Sequence, residues 1–276
     1  MSIIYPTTLL FCFVYLQTET TVALKFSDYF ELFQEMSINN SFKIHLRPSL
    51  QSLNSKKNRI FVPHNMYHQI VIAGIGTEVG KTLISAIVTK ALNATYWKPV
   101  QTGFLNGEGD RDSKTVQLWT QCKVHPEMYL FQQPLSPHIA AKIDGDKIEI
   151  QRLQIPDLPA NLVIETAGGL MVPLNDTDLS IDLLQQWKLP VILTVRQYLG
   201  NINHTLLSVE ALRSRNIPIL GIISSGEALP DTNRWLEQYT QIPILLEIAE
   251  LNEIHPAIIG QLAEELKNNL KKHGVE

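Results

Sequence analysis

The residues best suited to chemistry lie in the stretch Gly74 to Thr82, GIGTEVGKT. It follows the apolar run Ile70-Val71-Ile72-Ala73 and leads into a segment with helical periodicity. A glycine-rich turn at a helix start leaves N–H groups unpaired and aims the positive end of the helix dipole outward, which suits a phosphate. Lys81 adds a cation for the outer phosphates, and Thr82 puts a hydroxyl where Mg²⁺ would sit. Glycines could serve turn geometry alone, but Gly-Lys-Thr between a strand and a helix meets the structural condition for phosphate binding. One detail is unusual: five residues separate Gly74 from Gly80, one more than in the common phosphate loop.

Three further polar clusters stand where apolar runs end. Lys98-Pro99-Val100-Gln101-Thr102-Gly103 puts a lysine at a strand end beside a glycine, a better place for an anion than an ordinary solvated lysine has. Asp110-Arg111-Asp112-Ser113 offers carboxylates before a helix; taken alone it reads as a helix cap, since Asp caps well. Glu165-Thr166-Ala167-Gly168-Gly169 ends another apolar run. A simple turn would leave that Glu without a partner, whereas a metal-holding acid in a nucleotide site has this placement.

The elements that must position these residues alternate regularly from Gln69 onward. Strands are expected at 70–73, 95–100, 161–165, 190–195, 218–223 and 243–247. Helices are expected at 81–92, 114–121, 179–187, 203–215, 231–239 and 256–272. Apolar strands between helical periods argue for an α/β fold with a mostly parallel central sheet covered on both faces. Ligands in such a sheet sit beyond the carboxyl ends of the strands, where the polar clusters fall.

The chain has 276 residues and a net charge of -4, which suits one large domain or one domain with an appendage and argues against a nucleic-acid partner. Cys12 and Cys122 match no disulfide or metal spacing and read as plain thiols of a reducing, cytoplasmic compartment. Residues 1–65 differ from the rest. The apolar run at 3–16 is too short to span a membrane and lacks the positive flank of a secretory signal. Residues 37–65 are polar and aperiodic. Residues 1–65 are therefore expected to be a poorly ordered extension or a misplaced start, Met66 being an alternative first residue, and 66–276 the working domain.

Taken together, GTEVGKT, YWKPVQTG, SPHIAA, ETAGG, LGNINH and the strand ending GIISS resemble the dethiobiotin synthetase family in order and spacing, over roughly Gln69 to Glu250. The longer glycine-rich loop is that family's own form. The resemblance implies a P-loop NTPase-like three-layer sandwich and an ATP- and Mg²⁺-dependent ligase of biotin biosynthesis. Such an enzyme closes a ureido ring on 7,8-diaminopelargonic acid with CO2, through a carbamate and its mixed anhydride with phosphate. It implies that Lys81 and Lys98 neutralise the γ-phosphate and the carbamate, and that Thr82, Asp112 and Glu165 hold the metal, with Asp110 as the rival of Asp112. Glu78, Val79, Gly80, Lys81, Thr82, Leu83, Thr166, Ala167, Gly168 and Ser225 would line the nucleotide. Thr77 and Thr102 would meet the diamine or its carbamate. It further implies a homodimer in which Gly200, Asn201 and Asn203 of one subunit take the substrate's carboxylate tail; Asn203 could equally serve as a helix N-cap. Membrane and nucleic-acid partners are not expected.

Three positions depart from the family pattern: Gly76 stands where many relatives have Asp, Ser225 where they often have a base-reading Asn, and Ile248-Ala249 where Ile-Pro is usual. The phosphate end is thus expected to be intact and the base end altered. A ParA/MinD-like switch ATPase is the alternative, but that class carries a second lysine early in the loop, where Ile75-Gly76 offers none. Cobyrinic acid synthetases add a glutaminase domain for which the chain has no room. A degenerate, non-catalytic relative is argued against by Lys81, Thr82, Lys98 and Glu165.

Overall fold

A computed structural model describes residues 69–104, 111–227, 229 and 231–274. The proposed extension and Asp110 lie outside the described residues. Among the described residues nine strands form, in chain order, β1 (Gln69–Gly74), β2 (Thr95–Trp97), β3 (Val100–Gln101), β4 (Val124–His125), β5 (Tyr129–Leu130), β6 (Leu162–Gly169), β7 (Val191–Arg196), β8 (Ile219–Ser225) and β9 (Ile244–Ile248). The helices are α1 (Lys81–Leu92), α2 (Asp112–Thr120), α3 (Pro137–Ile143), α4 (Ser180–Trp187), α5 (Asn201–Ser214), α6 (Thr232–Thr240) and α7 (Pro256–Lys272).

Seven strands pair in the order β4-β2-β6-β1-β7-β8-β9, and each of these pairings is parallel. Alternation along β1 explains the three layers. Ile70 and Ile72 face one core with Ile84 and Ile87 of α1 and Leu266 and Leu270 of α7. Val71 and Ala73 face the other with Ile181 and Leu184 of α4 and Val209 and Leu212 of α5. Both faces of the strand are apolar because both are covered.

The stretch expected as one strand over 95–100 divides in two. Thr95–Trp97 joins the large sheet, and Val100–Gln101 pairs with Tyr129–Leu130 in a separate two-stranded sheet. Pro99 sits at the break; it has no N–H to give a ladder and its ring fixes φ. Its carbonyl instead accepts from the N–H groups of Met128 and Tyr129, at 2.9 and 3.0 Å. The break leaves Lys98 at the carboxyl end of β2, beside Glu165 in the middle of β6.

Two helix starts also differ from expectation. Helix α2 begins at Asp112 itself with Arg111 as its N-cap, so Asp112 is the first helical residue and not a cap. Helix α5 begins at Asn201 with Gly200 as its N-cap, which puts Asn203 inside the first turn and corrects its reading as a cap. Gly200 turns the chain at φ 107°, a conformation that costs glycine little.

Candidate active site

The glycine-rich turn runs from the end of β1 into α1, with β6 and β7 on either side of β1. Its path needs the absence of side chains. A Cβ on Gly74 would stand 2.7 Å from Val79 Cγ2, and one on Gly169 would stand 3.3 Å from the Cα of Gly76. Gly169 thus lets the end of β6 pack directly against the loop. Gly80 takes φ 89° as the N-cap of α1. Glu78 is exposed with φ 57°, Thr77 is exposed at the loop's tip, Val79 is buried and Leu83 half-buried.

Lys81 is buried, and its Nζ donates to the carbonyl of Gly76 at 2.9 Å. Burial pulls its ammonium down to a pKa of about 8, against the opposing pull of Glu165. The hydrogen bond folds the lysine back across the loop.

Next to it, Thr82 of α1, Asp112 of α2, Glu165 of β6 and Lys98, just after β2, converge. The Thr82 hydroxyl lies 2.8 Å from Asp112 Oδ1 and 3.1 Å from Glu165 Oε1; with one proton it donates to one of them at a time. Lys98 Nζ donates to Asp112 Oδ2 and, at 3.1 Å, to Glu165 Oε1. Glu165 is 1% exposed, so its charge depends on these partners. Burial works to lower the pKa of Lys98, but Glu165 and Asp112 outweigh it and hold the ammonium above its ordinary value. Burial likewise works to raise Asp112, and Lys98 outweighs it, so this carboxyl lies below its usual range. The ammonium of Lys98, read from sequence as a partner for an incoming anion, is here paired with the protein's own carboxylates.

The other expected contacts divide into two groups. On β6, the Thr166 hydroxyl donates to the carbonyl of Ile72 at 3.3 Å, tying β6 to β1. Ala167 packs against the core and Gly168 turns at φ 65°. Ser225 ends β8 with its hydroxyl 3.3 Å from where a Cβ on Gly80 would stand, which brings β8 against the end of the loop. Thr102, half-buried, follows β3. The second group lies after β7: Gly200 is exposed, and Asn203 is exposed in the first turn of α5. Asn201 is buried, its amide donating to Gln197 Oε1 at 2.7 Å, so its side chain is committed to the fold.

A family model described as an AAA domain matches residues 68–257. The ATP-dependent dethiobiotin synthetase of Chlamydia pneumoniae is 44% identical over 199 residues, covering 72% of this chain and 89% of that protein. The chain belongs to the dethiobiotin synthetase family. A synthetase of the same description from Christiangramia forsetii is 43% identical, with 72% of this chain and 96% of that one covered. Among solved structures, the cell division ATPase MinD of Pyrococcus furiosus is similar at 14% identity and a TM-score of 0.46, over 75% of this chain and 99% of that one.

Within this dethiobiotin synthetase-family site, two contributors escaped the sequence reading. The Tyr96 hydroxyl donates to Glu165 Oε2 at 2.8 Å, both groups being buried, so each oxygen of Glu165 has a protein donor. Burial first, then the Glu165 charge, raises the phenol's pKa well above its usual value, so it stays a donor. Gln101 donates through Nε2 to the carbonyl of Thr102 at 2.8 Å and accepts at Oε1 from the Asp112 N–H at 3.3 Å. It ties the segment carrying Thr102 to the start of α2. Both lie in the stretch YWKPVQTG, but a tyrosine in an apolar strand carries the signal of a core aromatic, and the role of Gln101 depends on a contact across a loop.

The oxygens of Thr82, Asp112 and Glu165 fit a hard cation. Such a cation takes one or two carboxylates and draws its remaining ligands from water and substrate phosphates when it is Mg²⁺.

Proposed function

We propose that the chain is an ATP-dependent dethiobiotin synthetase, closing the ureido ring of dethiobiotin from 7,8-diaminopelargonic acid and CO2. The observation that carries this reading is the meeting of Thr82, Lys98, Asp112 and Glu165 at the start of the helix that follows the glycine-rich loop. Phosphoryl transfer asks the protein for positioning and charge neutralisation more than for covalent chemistry, and this cluster is made of charges held in fixed places.

In the reaction, one amine of the substrate takes up CO2 as a carbamate, a carbamate oxygen receives the γ-phosphoryl group of ATP, and the second amine displaces phosphate as the ring closes. The backbone from Glu78 to Leu83 cradles the phosphates, and Lys81 neutralises the outer ones. Mg²⁺, held by Thr82, Asp112 and Glu165, would supply charge neutralisation at the phosphates. Lys98, anchored by those same carboxylates, neutralises the carbamate from that position. Thr77 and Thr102 orient the diamine or its carbamate. Thr166, its hydroxyl committed to β1, contributes through its backbone with Ala167 and Gly168.

The substrate's carboxylate tail is proposed to meet the α5 N-terminus of a second subunit, at Gly200, Asn201 and Asn203, where the positive end of a helix favours an anion. Leu199 is fully exposed and Leu207 is 61% exposed on the same segment, which supports burial there against a second copy. The working unit is residues 66–276, and its setting is the cytoplasm. Among the described residues no helix is long and apolar enough to cross a membrane.

The test is an assay of the purified full chain with diaminopelargonate, bicarbonate as CO2 source, ATP and Mg²⁺. Dethiobiotin should form with one ADP and one phosphate per ring closed, and omission of any component should stop it. ATP hydrolysis that continues without the diamine and yields no ring would favour the switch-ATPase reading instead.

A further inference from the structure

A cleft of about 490 Å³ opens beyond the carboxyl ends of β7, β8 and β9, lined by Arg196, Gln197, Gly226, Glu227, Ala249 and Glu250. Its size is that of a small-molecule site. Gly226 directly follows Ser225, whose hydroxyl stands against Gly80, so the cleft begins one residue from the phosphate loop. A nucleotide with its phosphates on α1 and its base extended toward β8 reaches it.

The lining groups differ in what they can offer a ligand. Gln197 is committed at both ends: Nε2 donates to Asn233 and Oε1 accepts from Asn201, each at 2.7 Å. Ala249 has no polar side chain. Gly226 takes φ 107°, and its N–H is bound to the carbonyl of Ile248. A Cβ there would lie 3.5 Å from Glu250 Oε2, so the glycine leaves this face of the carboxylate uncovered. Across the cleft, Arg196 Nη2 donates to both oxygens of Glu250, at 3.1 and 3.3 Å. Their side chains are 44% and 56% exposed. An ion pair this open adds little to stability, yet it sets a planar donor fork and a two-oxygen acceptor side by side at the mouth of the cleft.

We propose that Arg196 and Glu250 read the nucleobase, and that they admit guanine alongside adenine. The inference rests on the loop being a nucleoside triphosphate site. Guanine presents adjacent N1–H and N2–H donors, which the two carboxylate oxygens of Glu250 can take together, while O6 accepts from Arg196. Adenine offers the carboxylate only its N6 amino group, with a ring nitrogen left for the guanidinium. Ser225, with a single rotating hydroxyl, imposes no fixed donor–acceptor pattern that would reject either base.

The test measures binding of non-hydrolysable ATP and GTP analogues to the full chain by calorimetry, for the parent, Glu250→Gln and Arg196→Ala, each checked for fold by circular dichroism. In the parent, the guanine analogue should bind within roughly tenfold of the adenine one. Glu250→Gln should weaken the guanine analogue by roughly tenfold or more and the adenine analogue by less than about threefold, because the amide keeps one acceptor for the adenine amino group but turns the second, which only guanine uses, into a donor facing an N–H. Arg196→Ala should reduce the same preference. If both analogues shift together, or neither shifts, or the parent rejects guanine, the pair does not read the base. If the parent binds neither analogue, the nucleotide-site reading falls as well, and the two failures are distinguished.

Discussion

At the proposed phosphate end of the site the charged groups are buried and paired with one another, while at the proposed base end they stand at the surface. Glu165 and Lys98 have side chains 1% and 9% exposed; they pair with each other, and Thr82, Tyr96 and Asp112 from three elements hold them. Arg196 and Glu250 are about half exposed and contact each other across β8. The difference teaches where specificity can drift. A buried charge needs all of its partners, so a change at the phosphate end strands an unpaired charge. A surface pair can be exchanged at little structural cost, so the base end is where this chain is free to differ from its relatives.

The sharpest break of that contrast is Lys81→Ala. Turnover should fall by roughly 10²–10³, about 3–4 kcal/mol of lost transition-state stabilisation, while the melting temperature changes little. Near-normal kcat would remove Lys81 from the chemistry. Glu165→Gln comes next: it keeps the shape but loses the charge a hard cation prefers, so the Mg²⁺ concentration for half-maximal rate should rise several-fold. A metal titration that overlays the parent's would make Glu165 structural only. Tyr96→Phe probes the same carboxylate from its other side. It leaves one buried oxygen of Glu165 without a donor, a loss of about 1–3 kcal/mol in stability. Mg²⁺-dependent binding of an ATP analogue should weaken with it, and a lower melting temperature with unchanged metal affinity would reduce Tyr96 to a packing role. The smallest effect belongs to the base end. Ser225→Asn should sharpen preference for ATP over CTP and GTP by up to about tenfold, or 1.4 kcal/mol, with kcat for ATP unaltered; equal ratios in parent and variant would show that other groups set the choice.

Much of the phosphate end was legible because each of its residues sits where a periodic run stops. Lys81 and Thr82 open the helix expected over 81–92, which is found as Lys81–Leu92. Glu165 lies within a strand that continues to Gly169, its apolar half being the part that periodicity detects. The short elements were not legible. Strands β4 and β5 have two residues each and α3 has seven, too few for a period, and α3 opens on Pro137. Arg196 and Glu250 lie 54 positions apart and meet only because β7 and β9 flank the same strand. No local pattern carries such a contact.

Glu165 also has a consequence for how the site meets its ligands. A glutamate free to turn gives up as much as about 1.5–2 kcal/mol of rotamer entropy when it is immobilised. Here Tyr96, Thr82 and Lys98 fix both oxygens as the chain folds. That ordering is complete before any cation or nucleotide arrives, so little further side-chain freedom has to be lost on association. The phosphate end therefore behaves as a rigid receptor whose affinity is set by complementarity.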